Sequence, residues 1–184
     1  MRYWREVRSS RIISNLALVG FMGTGKSSVG RFVAEHLQFD FLDTDEIIEA
    51  RSGISISEIF AQNGEVAFRE LEHQVVQELA ARTQTVISTG GGLPINPANL
   101  QSLKQHALVV CLWASPEKCW ERVRHQSHRP LLADGDPLSK IRSLLSLREP
   151  FYKQADVLVN TEWRSVREVA LQVIHHFHAA FNQQ

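Results

Sequence analysis

The chain has 184 residues, with 20 lysines and arginines against 20 aspartates and glutamates, and 43% of its residues are hydrophobic. This length predicts one globular domain with a sizeable core. A chain without net charge lacks the basic surface that binds nucleic acid or anionic membranes non-specifically. Its longest apolar runs, such as residues 107–114, are far shorter than the roughly 18 residues that span a bilayer. We therefore expect no nucleic-acid partner and no membrane partner.

Two features bear on the compartment. Cys111 and Cys119 match neither a redox motif nor a zinc-site spacing, which favours a reducing cytoplasm. Residues 1–15 form a basic arm ahead of a single domain predicted over residues 16–184, and this arm has no apolar segment of the kind found in secretory signals. Its arginine- and serine-rich composition overlaps that of organellar transit peptides, so organellar targeting remains an alternative.

Five short apolar runs predict β-strands at residues 16–19, 39–42, 85–88, 108–112 and 157–159. Most of these runs are continuously apolar, as are strands that a parallel sheet buries on both faces. Helical patterns fill the intervals, and capping signals predict helix starts at Ser115, Asp136 and Ser165. This alternation predicts an α/β fold with a five-stranded parallel sheet.

One stretch, residues 124–137, departs from the alternation. It is polar, contains a glycine and two prolines, and shows no periodicity. Such a segment is either a plain loop or a lid that closes over a site.

The strongest motif follows the first predicted strand. Residues 20–27 read GFMGTGKS, which matches the phosphate-binding pattern G-x-x-x-x-G-K-[ST] at a strand-to-helix junction. Its glycines let backbone N–H groups curl around phosphate oxygens, Lys26 would meet the β- and γ-phosphates, and Ser27 would place its hydroxyl on Mg²⁺. A dinucleotide fingerprint fits less well, because Ser28 stands where its last glycine belongs. The motif therefore predicts a nucleoside triphosphate with Mg²⁺.

Candidate acceptor residues stand at the ends of the second and third predicted strands. Asp43 and Asp45 lie at a carboxyl end, where open α/β sheets bind ligands. We expect Asp43 to face Mg²⁺ through water and Asp45 to face an acceptor hydroxyl, with helix capping as the alternative for Asp45. The glycine triplet 90–92 indicates either a ligand close to the backbone or a tight turn.

Two arginines are ambiguous by themselves. Arg69 has Glu65 and Glu72 within one helical turn, so both carboxylates can fix its guanidinium, either for a substrate or as part of a surface ion-pair ladder. Arg148 stands where a helical pattern meets a proline. The small size of the chain favours a small-molecule kinase over a motor or switch ATPase.

The order of the motifs narrows these alternatives. GxxGxGKS, DTD, FRELE, GGG, RPLL and REPFY follow one another, and between residue 16 and about residue 161 the sequence resembles the shikimate kinase family. The resemblance implies the nucleoside-monophosphate-kinase type of P-loop fold, a three-layer α/β/α sandwich. In that fold, a lid at about residues 124–137 and a substrate-binding segment are inserted around the five-stranded sheet. ATP and Mg²⁺ are the implied cofactors.

The resemblance also implies roles for individual residues. The nucleotide would be held by Gly23, Thr24, Gly25, Lys26, Ser27, Ser28, Arg122, Arg129 and Arg164, although Arg164 lies in a segment without a clear motif. Mg²⁺ would be held by Ser27 and Asp43. Shikimate would be held by Asp45, Arg69, Gly90, Gly91, Gly92 and Arg148, with Glu72 orienting Arg69 and with Phe60 and Phe68 in the pocket wall. Catalysis would rest on Lys26, Asp45 and Arg129.

The implied reaction is transfer of the γ-phosphoryl group of ATP to the 3-hydroxyl of shikimate by a monomeric enzyme of aromatic amino acid biosynthesis. A substrate with one carboxylate and several hydroxyls suits guanidinium groups at one end and a carboxylate at the other. Two alternatives stay open: another small-molecule kinase, such as a gluconate-kinase-like enzyme, and a non-catalytic descendant that binds ligand.

Overall fold

The computed structural model describes residues 11–125 and 136–182. Within them, five parallel strands form one sheet in the order β2-β3-β1-β4-β5. The strands are β1 (Asn15–Val19), β2 (Asp40–Asp43), β3 (Thr85–Ser88), β4 (Ala107–Trp113) and β5 (Val157–Asn160). All five predicted strands are confirmed, and each boundary lies within one residue of its predicted position.

The position of each strand in the sheet explains its sequence. The three central strands, β1, β3 and β4, are almost wholly buried, and their inner positions are apolar. The edge strands β2 and β5 are partly exposed and carry polar residues at their ends.

In the described parts of the chain, seven α-helices connect and cover the strands: α1 (Lys26–Leu37), α2 (Thr44–Ser52), α3 (Ile56–Leu79), α4 (Pro97–His106), α5 (Pro116–Val123), α6 (Pro137–Tyr152) and α7 (Val166–Phe181). The predicted starts are confirmed, since Ser115, Asp136 and Ser165 are the N-caps of α5, α6 and α7. Helix α3 is interrupted at Gly64, where a positive φ of 79° separates two helical segments.

The two faces of the sheet bury different side chains of the same strand. In β1, Leu16 and Leu18 pack with α1 and α7, whereas Ala17 and Val19 pack with the helices of the opposite layer. The predicted three-layer α/β/α sandwich is therefore confirmed. No helix within residues 11–125 and 136–182 combines the length and apolar character needed to cross a membrane.

Residues 11–15 pack with the domain although the prediction placed them in the arm. Ile13 is 1% exposed, and the Ser14 amide donates to the carbonyl of His106 at 3.0 Å. Arg11 forms an ion pair with Asp156. The packed part of the chain thus includes Arg11. Residues 1–10 of the arm and most of the predicted lid, with Arg129, lie outside the described residues.

Candidate active site

The phosphate-binding loop lies between β1 and α1, and packing fixes its glycines. A Cβ on Gly20 would overlap the carbonyl oxygen of Leu112, and one on Gly23 would lie 2.9 Å from the carbonyl oxygen of Cys119. Both glycines also have positive φ, 136° and 78°. The Thr24 hydroxyl donates a hydrogen bond of 2.8 Å to the carbonyl of Phe21, and this bond stabilises the conformation of the loop.

The loop opens into a cavity of about 580 Å³. The cavity brings together eleven predicted residues: Gly23, Thr24, Gly25, Lys26, Ser27, Ser28, Asp43, Asp45, Gly91, Arg122 and Arg164. Lys26 reaches the loop from the first turn of α1, where Nζ donates to the carbonyl of Phe21 at 3.0 Å. The arrangement offers an ammonium group, a helix N-terminus and backbone N–H groups to one anionic ligand.

The two side chains expected to bind Mg²⁺, Ser27 and Asp43, lie next to each other. The Ser27 hydroxyl donates to Oδ2 of Asp43 at 2.8 Å and lies 3.4 Å from the hydroxyl of Ser88. Hydroxyl and carboxylate oxygens suit Mg²⁺, which takes few protein ligands and completes its octahedron with phosphate oxygens and water. The described residues contain no group of three or more His, Cys, Asp or Glu that could hold a metal by themselves. The residues therefore fit an ion shared with a bound nucleotide.

Asp43, the last residue of β2, and Asp45, in the first turn of α2, make different contacts. Oδ1 of Asp43 accepts a hydrogen bond of 3.1 Å from the Asp45 amide, which makes Asp43 the N-cap of α2. The capping alternative for Asp45 is therefore wrong. The carboxylate of Asp45 instead reaches the end of β3, where a Cβ on Gly90 would lie 2.6 Å from Oδ1.

Arg69 lies between two carboxylates, as its spacing predicts. Nη1 donates to Oε2 of Glu72 at 2.6 Å, and Nη2 donates to Oε1 of Glu65 at 2.8 Å. Burial raises the pKa of Glu72, whose side chain is 1% exposed, and the Arg69 charge acts against that shift. Burial lowers the pKa of Arg69, but the two glutamates outweigh it and raise the pKa overall. The guanidinium is held in place and stays charged.

Two glycines of the triplet, Gly90 and Gly92, lie directly against these side chains. A Cβ on Gly92 would come within 2.6 Å of Nη2 of Arg69, and one on Gly90 would meet Glu72 as well as Asp45. Protein groups therefore approach the backbone at these two positions. The prediction from sequence named a ligand or a tight turn as the cause and missed these side chains.

A second group of predicted residues adjoins the cavity without lining it. Its members are Arg69, Gly90, Gly92, Arg148, Phe60 and Phe68. The Phe60 and Phe68 rings are 4.8 Å apart at their centroids, and the Arg69 guanidinium lies 5.4 Å from the Phe68 ring. Arg148, 8% exposed, lies 5.6 Å from the Phe21 ring. Two guanidinium groups thus lie beside the glycine triplet, and guanidinium groups suit a carboxylate ligand.

Arg122 and Arg164 belong to the other end of the cavity. Nη1 of Arg122 donates to the carbonyl of Gly23 at 3.1 Å, and its Nη2 donates to the carbonyl of Thr161 at 2.7 Å. Arg164 is exposed and donates to the carbonyl of Asn160 at 2.7 Å. The first of these arginines therefore joins the phosphate-binding loop to the segment after β5.

The family model described as shikimate kinase matches residues 22–178 of the chain. The chain belongs to the shikimate kinase family. It is 41% identical over 170 residues to a shikimate kinase of Thermodesulfovibrio yellowstonii, and the match covers 92% of this chain and 98% of that relative.

Solved structures agree with this family. A shikimate kinase from Acinetobacter baumannii in complex with shikimate is similar at 37% identity and a TM-score of 0.87, over 94% of this chain and 97% of that one. A gluconokinase from Sinorhizobium meliloti is 20% identical with a TM-score of 0.60, over 94% of this chain and 96% of that one, and this likeness shows the fold alone.

Sequence reasoning missed several residues that line the cavity in this shikimate kinase family member: Met22, Val29, Thr89, Thr161, Ser165, Val166 and Val169. Thr89 and Thr161 directly follow β3 and β5. Applying the rule that ligands bind at the carboxyl ends of parallel strands to all five strands would have found these two threonines. The valines of α7 carry no signal that separates them from core residues.

Proposed function

We propose that the chain transfers the γ-phosphoryl group of ATP to the 3-hydroxyl of shikimate, giving shikimate 3-phosphate and ADP. The observation that carries the proposal is the position of Asp45. Its side chain lines the cavity of the phosphate-binding loop and also lies over Gly90, beside the Arg69 and Glu72 pair. This position supports a role for Asp45 between the donor phosphate and the acceptor hydroxyl.

The nucleotide end supplies electrostatic stabilisation. Backbone N–H groups of residues 23–28, the N-terminus of α1 and the ammonium of Lys26 would surround the phosphates. Ser27 and Asp43 would hold Mg²⁺, which supplies neutralising charge to the phosphate oxygens when it is bound. Arg129 is expected from the sequence to add positive charge from the lid.

The acceptor end supplies orientation. Arg69 and Arg148 would bind the carboxylate of shikimate, and Asp45 would accept a hydrogen bond from the 3-hydroxyl. In the reaction, the 3-oxygen forms a bond to the γ-phosphorus, the bond from that phosphorus to the β–γ bridging oxygen breaks, and the hydroxyl proton passes to Asp45. Because the transition state is loose, alignment of the hydroxyl contributes more than its early deprotonation.

The remaining expectations belong to the same proposal. The enzyme would act as a monomer in the cytoplasm, in the biosynthesis of aromatic amino acids, and closure of residues 124–137 would exclude water that otherwise hydrolyses ATP. The gluconate-kinase-like alternative has only a shared fold in its favour. Retention of Lys26 and Asp45 in the cavity argues against a non-catalytic descendant.

The test is ADP release with ATP and Mg²⁺, without acceptor and with shikimate, gluconate, quinate or a nucleoside monophosphate. We expect release with shikimate, and a decrease in kcat of about 100-fold or more in Asp45→Asn. The matched control is Asp40→Asn, the same change at an exposed position of β2, which should retain kcat. Turnover of another acceptor alone would refute the substrate assignment, and near-normal turnover by Asp45→Asn would refute the role of Asp45.

A further inference from the structure

Tyr152 is a buried residue that the proposed mechanism leaves without a task. It is the last residue of α6 and is 2% exposed. Its hydroxyl donates a hydrogen bond of 2.5 Å to the carbonyl oxygen of Gly91. The phenol therefore contacts Gly91, the middle residue of the glycine triplet.

Arg148 precedes Tyr152 by four positions, so both lie on one face of α6, and a Cβ on Gly91 would lie 3.7 Å from Nη1 of Arg148. Burial raises the pKa of Tyr152, and the charge and hydrogen bonding of Arg148 act against that shift. The hydroxyl consequently keeps the proton that it donates to the Gly91 carbonyl. The charge of Arg148 also acts to lower the pKa of the buried Glu72 carboxyl, and its guanidinium lies 5.6 Å from the Phe21 ring.

We infer that Tyr152 is a positioning residue for substrate binding, which holds the guanidinium of Arg148 and the carbonyl of Gly91 in one fixed arrangement. The inference rests on the proposed function, since it takes Arg148 to bind the carboxylate of shikimate. An arginine side chain loses conformational freedom when it binds a ligand, so one that is held beforehand binds at a lower entropic cost. In the REPFY motif, Tyr152 would therefore position Arg148.

A purely structural role makes a different prediction. A buried carbonyl needs a hydrogen-bond donor, and the Tyr152 hydroxyl satisfies Gly91 whether or not a substrate binds. If that were its whole task, removing the hydroxyl would lower stability and leave the KM for shikimate unchanged. The KM for shikimate in a variant without this hydroxyl therefore distinguishes the positioning role from the purely structural role.

The test compares Tyr152→Phe with Thr85→Val. Thr85 is also fully buried, and its hydroxyl donates to the carbonyl of Thr83 at 2.9 Å, at the opposite end of β3 from the glycine triplet. Each variant loses one buried hydroxyl bond to a backbone carbonyl. We expect Tyr152→Phe to raise the KM for shikimate roughly tenfold with an unchanged KM for ATP, and Thr85→Val to change neither constant.

The methyl ester of shikimate shows whether the effect passes through the carboxylate. With this neutral substrate, kcat/KM of wild type and of Tyr152→Phe should be nearly equal. An equal loss with shikimate and with its ester, or no loss with shikimate, would overturn the inference. Absence of shikimate turnover in the wild type would instead overturn the proposed function, so the two failures are distinguishable.

A spectroscopic measurement avoids dependence on the folding of the variant. The chain has two tyrosines, so 3-fluorotyrosine incorporated into a Tyr3→Phe protein reports on Tyr152 alone. We expect saturating shikimate to shift its ¹⁹F resonance and the methyl ester to shift it much less. An unchanged resonance with saturating shikimate would contradict the inference.

Discussion

At the scale of single residues, the candidate site depends on side chains that crowd the backbone. Gly92 has no room for a side chain because the Arg69 guanidinium covers it, whereas a Cβ on Gly91 would have no neighbour nearer than 3.5 Å. The three glycines of the triplet are thus unequal. Within the triplet, the steric demand is greatest at Gly92, beside the charged side chain of Arg69.

This inequality predicts different outcomes for two alanine substitutions. Gly92→Ala should displace Arg69 and raise the KM for shikimate about tenfold or more, because small misplacements of a binding group are costly. Gly91→Ala should have a clearly smaller effect on the same KM. Steady-state kinetics with ATP at saturation measures both values, and a larger effect in Gly91→Ala would contradict the steric argument.

Contacts within a helical turn could be predicted from the sequence, and contacts between distant segments could not. The Arg69 pairs with Glu65 and Glu72 follow from spacings of four and three residues, which helix geometry converts into neighbours. The contact between Arg122 and Gly23 joins residues 99 positions apart. No local pattern in the sequence encodes such a contact.

At the scale of elements, Arg122 connects three parts of the nucleotide site. It extends from α5 to the carbonyl of Gly23 in the phosphate-binding loop, and to both the carbonyl and the hydroxyl of Thr161 after β5. The family resemblance assigns this position to packing against adenine. The hydrogen bonds indicate that it also supports the conformation of the loop that binds phosphate.

Tripolyphosphate, which has no base, separates these two contributions. Arg122→Gln should weaken the binding of ATP and of tripolyphosphate alike, by about tenfold, because the loop loses a charged donor to Gly23. Isothermal titration calorimetry measures both dissociation constants. The control is Arg142→Gln, an arginine paired with Glu117 on the exposed surface. Weaker ATP binding with unchanged tripolyphosphate binding would show that Arg122 acts on the base alone.

The elements themselves were largely predictable. Buried strands and capped helices leave local signals, so the five strands and the starts of α5, α6 and α7 were found. The interruption of α3 at Gly64 could not be predicted, because a glycine within a helical pattern is compatible with both a continuous and a broken helix. Which of Asp43 and Asp45 caps α2 also needed the structure, since either can cap a helix.

At the scale of the whole molecule, the end of the sheet opposite the candidate site is joined by a buried polar network. Nδ2 of Asn15 lies 2.9 Å from Nδ1 of His106, and its Oδ1 accepts a hydrogen bond of 3.0 Å from the Thr85 amide. This orientation of the amide places the proton of the imidazole on Nε2. Nε2 of His106 is buried and has no hydrogen-bond partner among the described residues.

Burial lowers the pKa of His106, so the folded protein favours the neutral imidazole. The unfolded chain binds the proton more readily than the folded protein does. The contribution of His106 to the free energy of unfolding is therefore fully present above the ordinary histidine pKa and is lost as the pH falls. We expect the free energy of unfolding in urea to decrease between pH 7.5 and pH 5.5, and to decrease less in His106→Asn. His176, whose pKa burial also lowers, should contribute part of the remainder.

The control for this prediction is His178→Asn, on the exposed side of α7. It should show the same decrease as the wild type. If His106→Asn lost as much stability on acidification as the wild type does, the buried imidazole would not be the cause.

Phosphorylation of the 3-hydroxyl of shikimate by this chain can be tested by locating the phosphate in the product. The measurement is ³¹P and ¹H NMR of the product formed from shikimate, ATP and Mg²⁺. We predict a phosphorus coupled to the proton on carbon 3, with one ADP formed for each phosphorylated shikimate. Phosphate on another hydroxyl, or ADP accompanied only by inorganic phosphate, would contradict the claim.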